Sequence, residues 1–152
     1  MVQLRAARQE ELGQLSELCL RSKAVWGYDQ NFLDACRTEL TICADELQRS
    51  HIRVAVHNGI VGIVQFTVDG RSADLQKLFV EPTAIGLGVG RILLEWATQT
   101  ARELGARELT IESDPGAVDF YKRMGAVDHG SAPSGSIASR VLPRLRIELA
   151  AH

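Results

Sequence analysis

Val2, Leu4 and Ala6 interleave with Gln3 and Arg5, the period-two pattern of a half-buried strand. From Gln9 to Arg21 the period lengthens and Leu12, Leu15 and Leu18 or Cys19 fall on one stripe, which predicts a helix. Trp26-Gly27-Tyr28-Asp29 interrupts it. Helical spacing resumes from Asn31 to Leu40 through Phe32, Ala35, Cys36 and Leu40, and a short helix is expected over Ala44 to Arg49.

The segment from His51 to Gly70 holds two β-rich runs on either side of Asn58-Gly59, a pair in which both residues tolerate positive φ and which therefore marks a tight hairpin. Asp69-Gly70 marks a second turn into Ala73 to Val80, so three antiparallel strands are expected in a meander. A helix follows to Leu104, with Ile92, Leu93, Trp96, Ala97 and Ala101 facing inward and Gly105 ending it. Leu109 to Glu112 reads as a strand and Ala117 to Met124 as a short helix stopped by Gly125. The tail, Ala126 to Leu149, holds two strand-like pieces around a loop from Gly130 to Ser139, and Leu145 to Leu149 alternates cleanly. Helices and strands are mixed throughout, around roughly seven strands, so an α/β (α+β) single domain over residues 1–152 is the simplest packing.

Composition narrows the function classes. Lys+Arg 17 against Asp+Glu 19 gives a net charge of −2, which provides no footprint for a nucleic-acid backbone. No apolar run reaches the length of a membrane span and the N-terminus has no apolar leader segment, so a cytoplasmic protein without a membrane partner is expected. Cys19, Cys36 and Cys43 fit no ligand spacing and read as reduced thiols. His51, His57, His129 and His152 form no i, i+4 pair, and no metal site is expected.

The chemistry concentrates at Ile85-Gly86-Leu87-Gly88-Val89-Gly90-Arg91, where three glycines open a helix directly after a strand. Glycine weakens a helix, so this entrance needs a compensating role, and an anion held by free N–H groups is one. A Walker A loop requires Gly-Lys-Ser/Thr at its end, but Arg91-Ile92 follows Gly90. A dinucleotide fingerprint requires a glycine where Arg91 stands and an early parallel βαβ unit. Only Glu112, near the expected distance of a ribose-binding acid, favours it. Close packing of helix on strand, with no ligand, and an acyl-CoA pyrophosphate are the other readings.

Two segments decide between these. Leu78-FVEPTAIGLGVGRIL-Leu94 resembles motif A of the GNAT superfamily of N-acetyltransferases, and Asp114-PGAVDFYKRMG-Ala126 resembles its motif B, in the same order and separated by one helix and one strand. The resemblance covers essentially the whole chain. It implies a GNAT-like fold with a mixed, mostly antiparallel sheet, and acetyl-CoA as donor with no metal. The backbone from Ile85 to Arg91 is then expected to hold the pyrophosphate, and backbone groups of Leu78 and Val80 to pair with the pantetheine arm like an added strand, with Phe79, Asp114 and Ala117 beside them. It casts Tyr121 as the general acid toward the CoA sulfur and Asp74, or a water, as the base. On period-two spacing Asp74, Gln76, Leu78 and Val80 are expected to share a face. Ile85, Asp114 and Ala126 depart from the usual Arg/Gln, Asn and Phe of the motifs.

For the acceptor, Trp26, Tyr28 and Asp29 offer two aromatic faces and a carboxylate suited to a cationic amine. Asp29 also suits a helix N-cap. Ser134-Gly135-Ser136 is a candidate lid. A small amine, an amino acid, an antibiotic and a protein N-terminus or lysine all remain as acceptors, and an exposed last strand leaves a homodimer open. The expected function is an acetyl-CoA-dependent N-acetyltransferase. The alternative is a non-catalytic acyl-CoA-binding sensor of the same fold.

Overall fold

Asn58 and Gly59 both take positive φ, 56° and 111°, and fold β2 (His51–Val56) back on β3 (Ile60–Asp69) as an antiparallel pair. This is a computed structural model, and it describes residues 1–25, 27–134 and 141–149. β4 (Ser72–Val80) continues the meander on the far side of β3, and β1 (Gln3–Ala6) pairs antiparallel with β2. The chain then crosses through α4 (Val89–Glu103) to β5 (Glu108–Glu112), which runs parallel to β4, as such a crossover requires. β6 (Val127–Pro133) and β7 (Val141–Glu148) close a seven-stranded sheet in the order β1-β2-β3-β4-β5-β7-β6. The mixed, mostly antiparallel sheet expected from the sequence is therefore present. The last strand is not its exposed edge: the final hairpin inserts β7 between β5 and β6, and the edge falls to β6.

Helices cover both faces. α1 (Leu12–Ala24), α2 (Gln30–Leu40) and the short α3 (Glu46–Arg49) lie on one face, over a core of Leu15, Leu18, Cys19, Cys36, Ile52, Val54 and Ile63. On the other face α4 and α5 (Val118–Arg123) enclose Val64, Phe66, Ala73, Leu93, Ala97, Leu109, Ile111 and Leu145. The stripe read for the first helix is buried as expected, whereas Ala35 is exposed and Ile92 only half-buried. Cys19, Cys36 and Cys43 are all free thiols. Among the described residues no helix is long and apolar enough to cross a membrane.

Two local features shape the site. Gly62 of β3 lets α4 approach closely, because a Cβ there would lie 2.8 Å from Val89 Cγ1 and 2.9 Å from Leu93 Cδ1. In β4 the register slips: Gln65 faces Lys77 but Phe66 faces Leu75, so Gln76 is an inserted bulge residue. Bulges bend and twist a strand. The β4–β5 pairing runs from Ser72 and Glu108 to Leu75 and Ile111 and ends there, although β4 continues to Val80. The two parallel strands part at the bulge.

Candidate active site

The parted strands open a cavity of about 540 Å³ on the α4 and α5 side, walled by Leu78, Phe79 and Val80 of β4, the turn before α4, and Ala117 and Tyr121. Ile85, Gly86, Gly88, Val89, Gly90 and Arg91 all line it, as does Asp114. Leu87 lies outside the lining and is 50% exposed.

The glycines do two different jobs. Gly86 and Gly88 have φ of 98° and 76°, conformations that an L side chain rarely adopts, and Gly88 is the N-cap of α4 with no side chain competing for its N–H groups. Gly90 serves packing: its Cβ would lie 3.3 Å from Phe120 Cζ. The close-packing reading therefore holds for Gly90 alone. The first helical bond here is Ile92 N–H to the Gly88 carbonyl at 3.1 Å, which leaves Val89, Gly90 and Arg91 N–H without backbone acceptors among the described residues, together with Gly86 and Gly88. The expectation that every amide from Ile85 to Arg91 is available needs correction. Ile85 N–H bonds the Pro82 carbonyl at 3.4 Å and Leu87 N–H the Ala84 carbonyl at 3.2 Å, because the turn closes on itself there. What remains is an anion cradle at the positive end of a long helix, free of acidic side chains, and it fits a diphosphate. On the strand side, Val80 N–H donates to Ser22 Oγ of α1 at 3.2 Å, so that amide already has a partner.

Tyr121 is 7% exposed on α5, and burial, with the Asp114 carboxylate adding to it, pushes its phenol above its ordinary value. It therefore keeps its proton throughout the neutral range. Asp114 pairs with Lys23 of α1 at 3.0 Å, both side chains being 12% exposed, and accepts a hydrogen bond from Tyr28 Oη at 3.2 Å. An Asn at this position would have left the Lys23 ammonium without its counter-charge.

A second cavity, of about 710 Å³, opens on the opposite face beneath α1 and α2. Asp74 belongs here, and this overturns the expectation that it shares a face with Leu78 and Val80. The bulge at Gln76 shifts the alternation by one, so Ala73 and Leu75 join Leu78 and Val80 on the α4 side, and Asp74 points the other way with Lys77 and Phe79. Thr110 Oγ1 donates to the Asp74 carboxylate. Leu75, Gln76, Lys77, Phe79, Glu112 and Asp114 border both cavities, on either side of the place where β4 and β5 part.

Of the aromatic loop, Asp29 is the N-cap of α2, accepting Phe32 N–H at 2.8 Å, and Tyr28 stacks on Phe32 at 4.0 Å. Neither Tyr28 nor Asp29 lines either cavity. Trp26, Gly135 and Ser136 lie outside the described residues, while Ser134 borders the second cavity. Glu112, Lys23 and Arg144 are cleft residues that sequence pattern did not single out for this role. The sequence offers Glu112 only as a ribose-binding acid; it does end the parallel β4–α4–β5 unit opened by the glycine turn, but Arg91 stands where a dinucleotide fingerprint needs its third glycine, and Glu112 borders both cavities. Its parity with Thr110 at the end of β5 is the signal that could have found it.

The model of the acetyltransferase (GNAT) family matches residues 14–126. A peptidyl-lysine N-acetyltransferase of Escherichia coli, YjaB, is 32% identical over 127 residues, 82% of each chain. Among solved structures, the PaiA N-acetyltransferase of Thermoplasma acidophilum in complex with coenzyme A superposes with a TM-score of 0.82 at 16% identity, over 97% of this chain and 99% of that one. The ribosomal-protein-S18-alanine N-acetyltransferase of Escherichia coli gives 0.73 at 16% identity, over 100% and 96%. At those identities the two structures establish the fold alone. The family match over most of the sequence, the similar relative and the parted-strand sheet lead to one conclusion: the chain belongs to the acetyltransferase (GNAT) family.

Proposed function

We propose that the protein transfers the acetyl group of acetyl-CoA to an amine by direct attack in a ternary complex, the donor lying in the α4-side cavity and the acceptor in the α1-side cleft. The observation that carries this reading is that the two cavities share lining residues of β4 and β5, Leu75 to Lys77 and Glu112 among them, where those strands part. Acetyl-CoA supplies a thioester: the acceptor nitrogen's lone pair makes the new C–N bond as the C–S bond breaks, leaving an amide and a thiolate. The cradle of Gly86, Gly88, Val89, Gly90 and Arg91 amides binds the diphosphate, and the open edge of β4 at Leu78 offers its backbone to the pantetheine arm. Tyr121, buried and neutral, gives its proton to the departing sulfur and regains it from solvent. The proton lost by the amine passes to Asp74, to Glu112 or to a water held between them. Glu112 is the better placed of the two carboxylates, since it borders both cavities whereas Asp74 borders only the cleft.

The direct test measures the melting temperature with acetyl-CoA and with CoA, then thiol release over a panel of amines. A rise with both ligands, together with amine-dependent thiol release, is expected. A rise without release from any amine points to the acyl-CoA sensor, and no rise with either ligand refutes the donor site.

A further inference from the structure

The named relatives act on different acceptors, a peptidyl lysine in one and an alanine in another, so the acceptor has to be read from the cleft itself. Its charges fall into two groups. Lys23 with Asp114 at 3.0 Å, and Lys77 with Glu46 at 3.8 Å, neutralise each other. Asp74, Glu112 and Arg144 have no ionic partner among the described residues; the Asp74 carboxylate accepts only the Thr110 hydroxyl. All three lie on one face of the sheet, because Asp74 pairs in register with Thr110, Glu112 follows Thr110 at the next same-side position of β5, and Arg144 stands opposite Glu112 on β7. All three border the cleft. The Arg144 Nε is buried without a hydrogen-bond partner, as are those of Arg102 and Arg146, but of the three only Arg144 borders the cleft.

We propose that the acceptor is a small amine carrying its own carboxylate, with its nitrogen at Glu112 and Asp74 and its anionic end on Arg144. This rests on the acetyl-transfer reading above. Two carboxylates against one guanidinium suit a substrate that enters as a zwitterion: the ammonium is drawn to Glu112 and Asp74, gives up one proton there and attacks as the free amine, while the planar guanidinium fork matches a carboxylate. A diamine would set its second cation against Arg144, and a neutral amine would leave the guanidinium unanswered. Neighbouring strands are about 4.8 Å apart, so the span from Glu112 to Arg144 takes an α-amino acid and the longer diagonal from Asp74 an ω-amino acid of a few methylenes.

The test compares kcat/KM for matched pairs, α- and ω-amino acids against their amides, with alkylamines, a diamine and a neutral lysine peptide as further arms. The carboxylates are expected to exceed their amides by about tenfold or more, as for a charge-assisted bidentate contact. In Arg144→Met that ratio is expected to fall to about two or less, with Arg144→Lys intermediate because it keeps the charge without the fork. Folding of each variant is read from the rise in melting temperature with CoA. An amide, diamine or neutral peptide used as well as the carboxylate by the unmodified protein overturns this inference and leaves acetyl transfer standing. So does a ratio that survives Arg144→Met. Thiol release with none of the amines overturns both.

Discussion

Gly62→Ala probes the seating of α4, on which the diphosphate cradle depends. The new Cβ would fall 2.8 Å from Val89 Cγ1 and 2.9 Å from Leu93 Cδ1, about 1 Å inside ordinary carbon contact. The Leu93 methyl ends a flexible side chain, but Val89 is β-branched, stiff at χ1 and 1% exposed, so relief has to come from moving the first turn of the helix. Overpacking of this kind costs about 1–3 kcal/mol. Removing a glycine from the unfolded chain returns about 0.5–1 kcal/mol. Taken at the middle of those ranges the balance is a loss of about 1 kcal/mol, or about 2–4 °C in melting temperature for a domain of this size. Because Val89 and Gly90 supply cradle amides, CoA affinity is expected to fall as well. Gly13→Ala is the control: it lies in α1 with nothing within 4 Å of its Cβ, and it is expected to gain about 0.5 kcal/mol. Thermal melts and CoA titrations of both variants decide. A Gly62→Ala protein that melts at or above the parent temperature, or that binds CoA with undiminished affinity, would refute this account of how the helix is seated.

Further outcomes are expected. Tyr121→Phe lowers kcat by about a hundredfold to ten-thousandfold with CoA affinity nearly unchanged, as general-acid removal does; a loss of less than about threefold would remove the phenol from the reaction. Because burial raises that phenol above its ordinary 10.0, the protonated, proton-donating form persists as pH rises, and the rate profile should show no falling limb from Tyr121 below pH 10.0. Lys23→Met removes the ammonium that faces the Asp114 carboxylate at 12% exposure, while the Tyr28 hydroxyl still donates to it, and is expected to cost about 1–3 kcal/mol, part of it recovered in Lys23→Met/Asp114→Asn; a double-mutant cycle with no coupling would contradict the pair. Arg5 bonds both oxygens of Glu11, at 2.9 and 2.7 Å, and holds its carboxyl down to about 2 from the ordinary 4.5. A depressed carboxyl stabilises above its unfolded value, so the melting advantage over Glu11→Gln should be full above pH 4.5 and fade as pH falls through about 2. A constant advantage from pH 6 to pH 2 would contradict that assignment.

Pattern along the chain was enough for most of the elements and for the unbonded amides at the mouth of α4. Alternation and the Asn58-Gly59 pair foretell the hairpin, and three glycines at the mouth of a helix foretell an amide cradle, because turn preference and backbone freedom are local properties of a few adjacent residues. The acceptor half was not legible in this way. Strict period two puts Asp74 beside Leu78, and only the bulge at Gln76 sends it to the other face. A bulge arises from the register of β4 on β3, a relation between residues of two different strands, such as Gln65 with Lys77 and Phe66 with Leu75, that neither strand encodes alone. The same holds for Asp29, whose carboxylate suits an amine or an N-cap equally well until α2 is seen to begin beside it.

What the sequence determined by itself is the order of helices and strands and the chemistry of the glycine turn, since each follows from side-chain periodicity and from the φ values that short segments can adopt. What only the tertiary structure decided is which charges are already spent and which are left to act. Lys23 and Asp114 cancel across 91 positions of chain, while Asp74, Glu112 and Arg144 come together from three strands with no such partner. Ion pairing depends on distance in space and on burial, and those are set by how the strands part and how the helices cover them.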